Sequence, residues 1–229
     1  MNICIIPARG GSKRIPRKNI KAFLGRPIIS YSIEEAFKSN LFDKVIVSTN
    51  DKEIAKVAEE YGADVPFVRP EELSDDFTGT NDVVKHALNW LLEQNINVDY
   101  ACCIYATVPF LKSKYLKKGL EKLQDSDKLF AISVTSFAFP IQRAMKIENN
   151  CISMFHPEHL TTRSQDLEEA YHDAGQFYWG KVEAFLNNEN LFCEKSYPVI
   201  LPREIVQDID TLEDWSKAEL MYRAINTEN

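Results

Sequence analysis

Short apolar runs bounded by turn residues alternate with longer stretches in which apolar side chains recur at helical spacing. "NICIIP" (2–7), stopped by Pro7, reads as a buried strand. A glycine-containing loop follows, and a helix is predicted from about Pro27 through "IISYSIEEAFKS". "KVIVST" (44–49) predicts a second strand, and "DKEIAKVAEEYG" a short helix closed by Gly62. "ADVPFVRP" reads as an extended segment. "TNDVVKHALNWLLEQ" reads as an amphipathic helix with Thr80 and Asn81 as N-cap candidates. "VDYACCIYA" (98–106) has the length and the β-branched and aromatic content of a central strand. A helix near 112–124 and a strand near 129–135 continue the alternation. "AGQFYWG" and "YPVILP" then predict strands, and "DTLEDWSKAELMYRAI" a closing helix.

Strands alternating with helices imply an α/β fold whose mostly parallel central sheet is covered on both faces. The reading is a single domain over 1–229, Rossmann-like in its alternation. Between about 137 and 173 the alternation fails, and short extended pieces mix with loop. That stretch is expected to be an inserted arm. Its large apolar side chains (Phe137, Phe139, Met145, Met154, Phe155) have little use in a lone monomer, which predicts a homodimer with the arm reaching across.

Composition narrows the class. No run approaches the ~18 apolar residues that span a bilayer, and the first residues lack a signal-peptide pattern, so a cytoplasmic location with no membrane partner is expected. The cysteines (Cys4, Cys102, Cys103, Cys151, Cys193) form no C-x-x-C pair and read as buried free thiols. Cys102 and Cys103, adjacent in a strand, should point to opposite faces.

Charge is distributed unevenly. Arg9, Lys13, Arg14, Arg17, Lys18, Lys21 and Arg26 all precede the first acidic residue, Glu34, although the whole chain has a formal charge of −7. A nucleic-acid binder spreads basic charge over a face. Charge confined to one loop suits a small polyanion in a pocket, and a solvated basic loop is the bland alternative. Ligands of open α/β sheets sit beyond the carboxyl ends of the strands, where this loop begins. Gly10 and Gly11 allow a tight turn with N–H groups near a phosphate, and Arg9, Lys13, Arg14 and Lys18 can neutralise a triphosphate. Neither a Walker A sequence nor G-x-G-x-x-G is present, which argues against a P-loop ATPase and an NAD enzyme.

The residue order in "PARGGSKRIPRKNI" resembles the signature of the cytidylyltransferases that activate nonulosonic, sialic-acid-like sugars. "STNDKEIAKVAEEYGADVPFVRPEELSDD" and "QDIDTLEDW" resemble later segments of the same family. The resemblance implies a nucleotide-diphospho-sugar transferase fold, a homodimer, and transfer of CMP from CTP to a sugar acid with release of pyrophosphate. By position, Arg9, Lys18 and Asn19 match the family's nucleotide- and phosphate-binding residues. Ala8, Gly10, Gly11 and Ser12 are expected to join them, with Thr80 and with Arg69, which serves either the cytosine ring or its own loop. The sialic acid synthetases carry a Gln-Pro-Thr-type stretch where this chain has Tyr105-Ala106-Thr107, and an "NGAIY"-like strand where it has "DAGQFYWG". Both departures resemble the family's pseudaminic acid branch. N-acetylneuraminic or legionaminic acid is the alternative acceptor, and a non-catalytic nucleotide- or RNA-binding module the remote one. Tyr105, Tyr171, His172, Gln176 and Tyr178 are the expected sugar-binding side chains.

In "QDID", Asp208 and Asp210 lie two apart, so in an extended segment both carboxylates can meet one cation. For Asp210 the pattern "DTLE" equally reads as a capping box, with Asp210 as N-cap and Glu213 reaching back. The resemblance favours metal, because the matching aspartates of the family bind it. The implied cofactor is Mg²⁺, with Arg9, Lys18, Asp208 and Asp210 as the catalytic set. "HPEH" (156–159) has poor chelate geometry and reads as loop or substrate contact. His86 reads as a packed or surface residue, and no general base stands out.

Overall fold

The computed structural model describes residues 1–226. Its strands are β1 (Asn2–Pro7), β2 (Ala22–Phe23), β3 (Arg26–Pro27), β4 (Lys44–Ser48), β5 (Tyr100–Ile104), β6 (Phe130–Ser136), β7 (Met145–Glu148), β8 (Cys151–Met154), β9 (Tyr171–Lys181) and β10 (Ser196–Ile200). Its helices are α1 (Ile28–Ser39), α2 (Lys52–Glu60), α3 (Thr80–Glu93), α4 (Ser113–Gln124), α5 (Val182–Leu186) and α6 (Leu212–Asn226).

A six-stranded sheet has the order β10-β6-β9-β5-β1-β4. β1 pairs in parallel with β4 and β5, and β10 in parallel with β6. β9 alone runs the other way, antiparallel to both β5 and β6. The parallel strands therefore end on the same side of the sheet, and β9 begins there. That side gathers the loops after β1, β4, β5 and β10 together with the first residues of β9.

Alternation along the strands divides the core into two layers. Cys4, Ile6, Val45, Val47 and Cys102 face one layer, and Ile3, Ile5, Ile46 and Cys103 the other. Cys102 and Cys103 thus occupy opposite faces. All five cysteines are unpaired; Cys4, Cys102 and Cys103 are buried, whereas Cys151 and Cys193 are exposed, contrary to the expectation that all were buried. Among the described residues no helix is long and apolar enough to cross a membrane.

β6 and β9 lose register between Ile132 and Val134: Ile132 pairs with Tyr178 but Val134 with Asp173. The excess chain forms a bulge at Gly175, which takes a left-handed φ of 59°. Ser133 Oγ accepts from the N–H groups of Gln176 and Phe177, at 3.3 and 3.0 Å, and so pins the bulge. The arm contains the β7–β8 hairpin, turned by Asn149 and Asn150, both at positive φ (51° and 61°). An Asn-Asn pair tolerates the left-handed conformation that a two-residue hairpin turn needs, so the turn has a local sequence signal.

Two predicted helix starts shift by one residue. Gly79, not Thr80 or Asn81, is the N-cap position of α3. For α6, Thr211 Oγ1 accepts from the Asp214 N–H at 3.2 Å, while the Asp214 carboxylate accepts from the Thr211 N–H at 2.8 Å. The capping box is therefore Thr211 with Asp214, rather than Asp210 with Glu213. That leaves the Asp210 carboxylate outside the cap.

Candidate active site

The loop after β1 is built around a bend at Arg17, whose φ of 57° is left-handed. Its guanidinium forms a two-pronged ion pair with Asp51 and reaches Glu53 as well. Asp51 also caps α2 by accepting from the N–H groups of Glu53 and Ile54, at 2.9 and 3.0 Å. The Arg17 hydrogen bonds, helped by those from the backbone, outweigh desolvation and hold the Asp51 carboxyl down to about 2. Gly10 donates to Asn50 Oδ1 at 3.1 Å, and a Cβ at Gly10 would stand 2.6 Å from Asp51 Oδ2. Only glycine permits that approach. Asn19 donates from Nδ2 to the Arg9 carbonyl at 2.9 Å and ties the two ends of the loop together.

Beyond this loop lies a cavity of about 530 Å³, lined among others by Arg9, Ser12, Lys13, Arg14, Lys18, Asn19, Arg69, Thr80, Tyr105 and Asp210. Arg69 is 3% exposed, yet its Nε and Nη2 lack hydrogen-bond partners among the described residues. Burial, followed by the charge of Arg9, lowers its pKa to about 10. An unpartnered buried guanidinium lining a cavity is a donor awaiting a ligand.

A second cavity, of about 580 Å³, lies between the start of β9 and the segment before α6. His172, Asp173, Ala174, Gly175, Val108, Val206, Gln207 and Asp208 line it, and it shares Lys18, Tyr105, Thr107 and Asp210 with the first cavity. The two cavities therefore adjoin along these four residues. Tyr105 also sits within a row of hydroxyls. Its OH lies 3.1 Å from Thr80 Oγ1 and 3.4 Å from Tyr178 OH, and Tyr178 donates to the Asp173 carboxylate. Burial is the first cause raising the pKa of both phenols, so they stay neutral.

Lys18 Nζ donates to the Ile209 carbonyl at 2.7 Å and meets Asp210 Oδ1 at 3.3 Å; Arg14 pairs with Asp210 Oδ2 at 2.9 Å. Asp208 is held above the ordinary carboxylate range by desolvation, then by the charges of Asp210 and, more weakly, Asp214, against the lowering effect of Lys18. Asp208 lines the second cavity and Asp210 both, and two carboxylates that repel each other beside the phosphate loop are a donor set suited to a hard divalent cation. Among the described residues no group of three or more His, Cys, Asp or Glu is placed to hold a metal. A cation bound here would complete its shell with substrate oxygens and water.

The other expected site residues are placed as follows. Ala8 is fully buried at the end of β1, with its N–H on the Ser48 carbonyl at 2.9 Å, and does not line the cavity. Gly10 and Gly11 shape the loop without lining the cavity wall. Thr80 and Tyr105 face the first cavity, and His172 the second. Tyr171 lies outside both cavities, exposed, with its hydroxyl on Glu169 at 2.7 Å. Gln176 is buried and donates from Nε2 to the Ile205 carbonyl at 2.6 Å, which turns it away from the second cavity. The bulge at Gly175 is the reason: it breaks the simple alternation that would have put Gln176 on the cavity side. Tyr178 lines neither cavity but meets two residues that do, Tyr105 and Asp173. His86 packs against Phe67 with ring centroids 4.9 Å apart, and His156 bonds Glu158 at 3.3 Å. The sequence reading missed Asp173, Asp75 and Asp76. Asp75 and Asp76 lie in no motif like that of Asp208 and Asp210, and Asp173 gains its role only from its contact with Tyr178.

A family model described as cytidylyltransferase matches residues 3–214. The chain belongs to the cytidylyltransferase family. It is 50% identical over 223 residues to the pseudaminic acid cytidylyltransferase of Campylobacter jejuni subsp. jejuni serotype O:2, covering 97% of this chain and 96% of that one. It is 31% identical over 229 residues to the CMP-N,N'-diacetyllegionaminic acid synthase of Legionella pneumophila, covering 95% and 94%. The fold is similar to that of a CMP-2-keto-3-deoxy-manno-octonic acid synthetase complexed with CTP, with a TM-score of 0.72 at 14% identity, covering 98% of this chain and 99% of that one.

Proposed function

We propose that this chain transfers CMP from CTP to the anomeric hydroxyl of a nonulosonic acid, pseudaminic acid in preference, and releases pyrophosphate. The observation that carries the reading is the junction of two cavities at Lys18, Tyr105, Thr107 and Asp210, one cation-rich and the other walled by the start of β9 and the segment before α6. The relatives named above as acting on pseudaminic and diacetyllegionaminic acids support the substrate class.

In this reading CTP fills the first cavity. Arg69 donates to the acceptor edge of the cytosine, and Thr80 lies on the same lining. Arg9, Lys13, Arg14 and Lys18 take the phosphates, with Lys18 nearest the acceptor side because it alone among them lines both cavities. The sugar acid fills the second cavity, so its hydroxyl approaches the α-phosphorus from the side opposite the departing pyrophosphate. The O–P bond forms as the bond to the β-phosphate oxygen breaks, and the hydroxyl proton is lost to solvent or a cavity carboxylate. Such transfers rest on positioning and charge neutralisation, which fixed cations and a walled cavity supply. Asp208 and Asp210 would hold Mg²⁺ here, which when bound adds positive charge at the phosphate oxygens.

Val108, Ala174 and Val206 give the acceptor cavity apolar lining. A methyl group suits such a wall, whereas a hydroxyl left unsatisfied against it costs ~1–3 kcal/mol. The test is pyrophosphate release from CTP and Mg²⁺ with a panel of pseudaminic, N-acetylneuraminic and legionaminic acids. Turnover of pseudaminic acid well above the others is expected. Equal use of N-acetylneuraminic acid would overturn the acceptor, and no pyrophosphate release with any acid would overturn the reaction and favour a binding module.

A further inference from the structure

The four cations of the phosphate loop that line the first cavity are divided between two carboxylates. Arg14 and Lys18 meet Asp210, whereas Arg9 and Lys13 meet Asp76 at 2.7 and 2.5 Å. Asp210 belongs to the acidic pair discussed above, but Asp76 has no part in that chemistry. It lines the nucleotide cavity, and its side chain is 34% exposed.

A turn within its own segment orders the backbone around Asp76. The preceding Asp75 accepts at Oδ1 from the Phe77 N–H (3.0 Å), the Thr78 N–H (2.7 Å) and the Thr78 hydroxyl (2.7 Å). Thr78 Oγ1 also lies 3.2 Å from the Glu72 carbonyl. This turn presents the Asp76 carboxylate to the cavity, and the Asp75 carbonyl takes a further bond from Arg9 at 2.5 Å. A carboxylate held in this way neutralises Arg9 and Lys13 when no phosphate is present, keeping both side chains extended into the cavity. It must also be displaced, or share its partners, when phosphates arrive.

We propose that Asp76 is an internal counter-anion of the phosphate loop: it competes with the substrate's phosphates for Arg9 and Lys13 and sets how readily pyrophosphate leaves. The proposal rests on the reading of the first cavity as the nucleotide site. Its chemical logic is exchange. When pyrophosphate departs, the carboxylate takes up both cations, so release leaves the partly buried Arg9 with an anionic partner, while the Lys13 side chain stays largely in solvent. The cost is weaker binding of every ligand that needs those cations, and no effect on one that does not.

The experiment is calorimetric binding of inorganic pyrophosphate, and separately of CMP, to the intact protein and to its Asp76→Asn variant. Product inhibition by pyrophosphate is measured alongside. The variant is expected to bind pyrophosphate about fivefold more tightly or better, the size expected when two partly exposed ion pairs no longer compete. CMP binding should stay unchanged, and inhibition by pyrophosphate should strengthen in step. Should the asparagine disturb the turn, Asp76→Ser carries the same expectation. Equal or weaker pyrophosphate binding in a folded variant overturns the role of Asp76 while leaving the cavity assignment intact. Failure of pyrophosphate to bind either protein overturns the cavity assignment and the proposal with it.

Discussion

The Lys18 ammonium donates to the Ile209 carbonyl at 2.7 Å and faces the Asp210 carboxylate at 3.3 Å, joining the loop after β1 to the segment before α6. With Arg14, which pairs with Asp210 at 2.9 Å, it ties the phosphate loop to the acidic pair. Lys18→Ala should lower kcat by about 10²–10³, the usual consequence of removing one transition-state donor, ~2.7–4 kcal/mol. Arg9→Ala should do the same, and both proteins should stay folded by circular dichroism. Near-normal turnover in either would take that residue out of the mechanism.

The separation of Asp210 from the α6 cap yields a paired prediction. Asp208→Asn and Asp210→Asn should each abolish the dependence of activity on Mg²⁺ while leaving the melting temperature nearly unchanged. Thr211→Ala should do the reverse, keeping the Mg²⁺ response and losing ~1 kcal/mol of stability with the capping box. Titration of activity against Mg²⁺, with thermal melts beside it, separates the two roles. Unchanged Mg²⁺ dependence in both aspartate variants would refute the metal reading.

Much of this arrangement was legible in the chain because the residues that build it are close in sequence. Gly10, Arg17 and Lys18 fall on one loop, and its place at the end of β1 follows from the strand–helix alternation. What was not legible depends on long-range pairing. Gln176 was expected on the cavity wall from simple strand alternation, but the bulge pinned by Ser133 turns it to the Ile205 carbonyl. The cap of α6 falls one residue beyond the expected Asp210 because Asp210-Thr211 offers two side chains competent to cap, and local pattern does not choose between them. Asp76 carries no local signal because its significance comes from Arg9 and Lys13, which lie far from it in the sequence.

Asp51 makes the phosphate loop sensitive to acid. Its folded-state pKa is lowered from 3.8 to about 2, chiefly by the Arg17 hydrogen bonds. A depressed carboxylate contributes stability in full above its unfolded pKa and loses it as pH falls through the folded value. The contribution of Asp51 should therefore be complete above about pH 4 and vanish towards pH 2. Asp51→Ala should cost about 1–2 kcal/mol at neutral pH through the lost cap of α2 and the lost ion pair. The gap between wild-type and variant melting temperatures should narrow as pH drops from 5 to 2. A gap independent of pH across that range would show that the Arg17–Asp51 pair does not stabilise the fold.

The arm carries the prediction about assembly. On the β7–β8 hairpin, Ile147 stands directly opposite Ile152, and the two are 74% and 69% exposed. Met145 shares the strand face of Ile147, and Phe139 and Phe155 nearby are 82% and 60% exposed. A two-stranded hairpin is marginal on its own, and an apolar cross-strand pair left in water gives it nothing to pack against. A second copy of the chain covering this face would bury it, at ~1.5–3 kcal/mol for each isoleucine fully enclosed. The wild-type protein should therefore be a dimer by light scattering at micromolar concentration. Ile147→Asp combined with Ile152→Asp should shift it to monomer while leaving the central sheet folded, because neither side chain reaches the two core layers. A wild-type monomer at that concentration, or a double variant that remains fully dimeric, would rule this hairpin out as the contact surface.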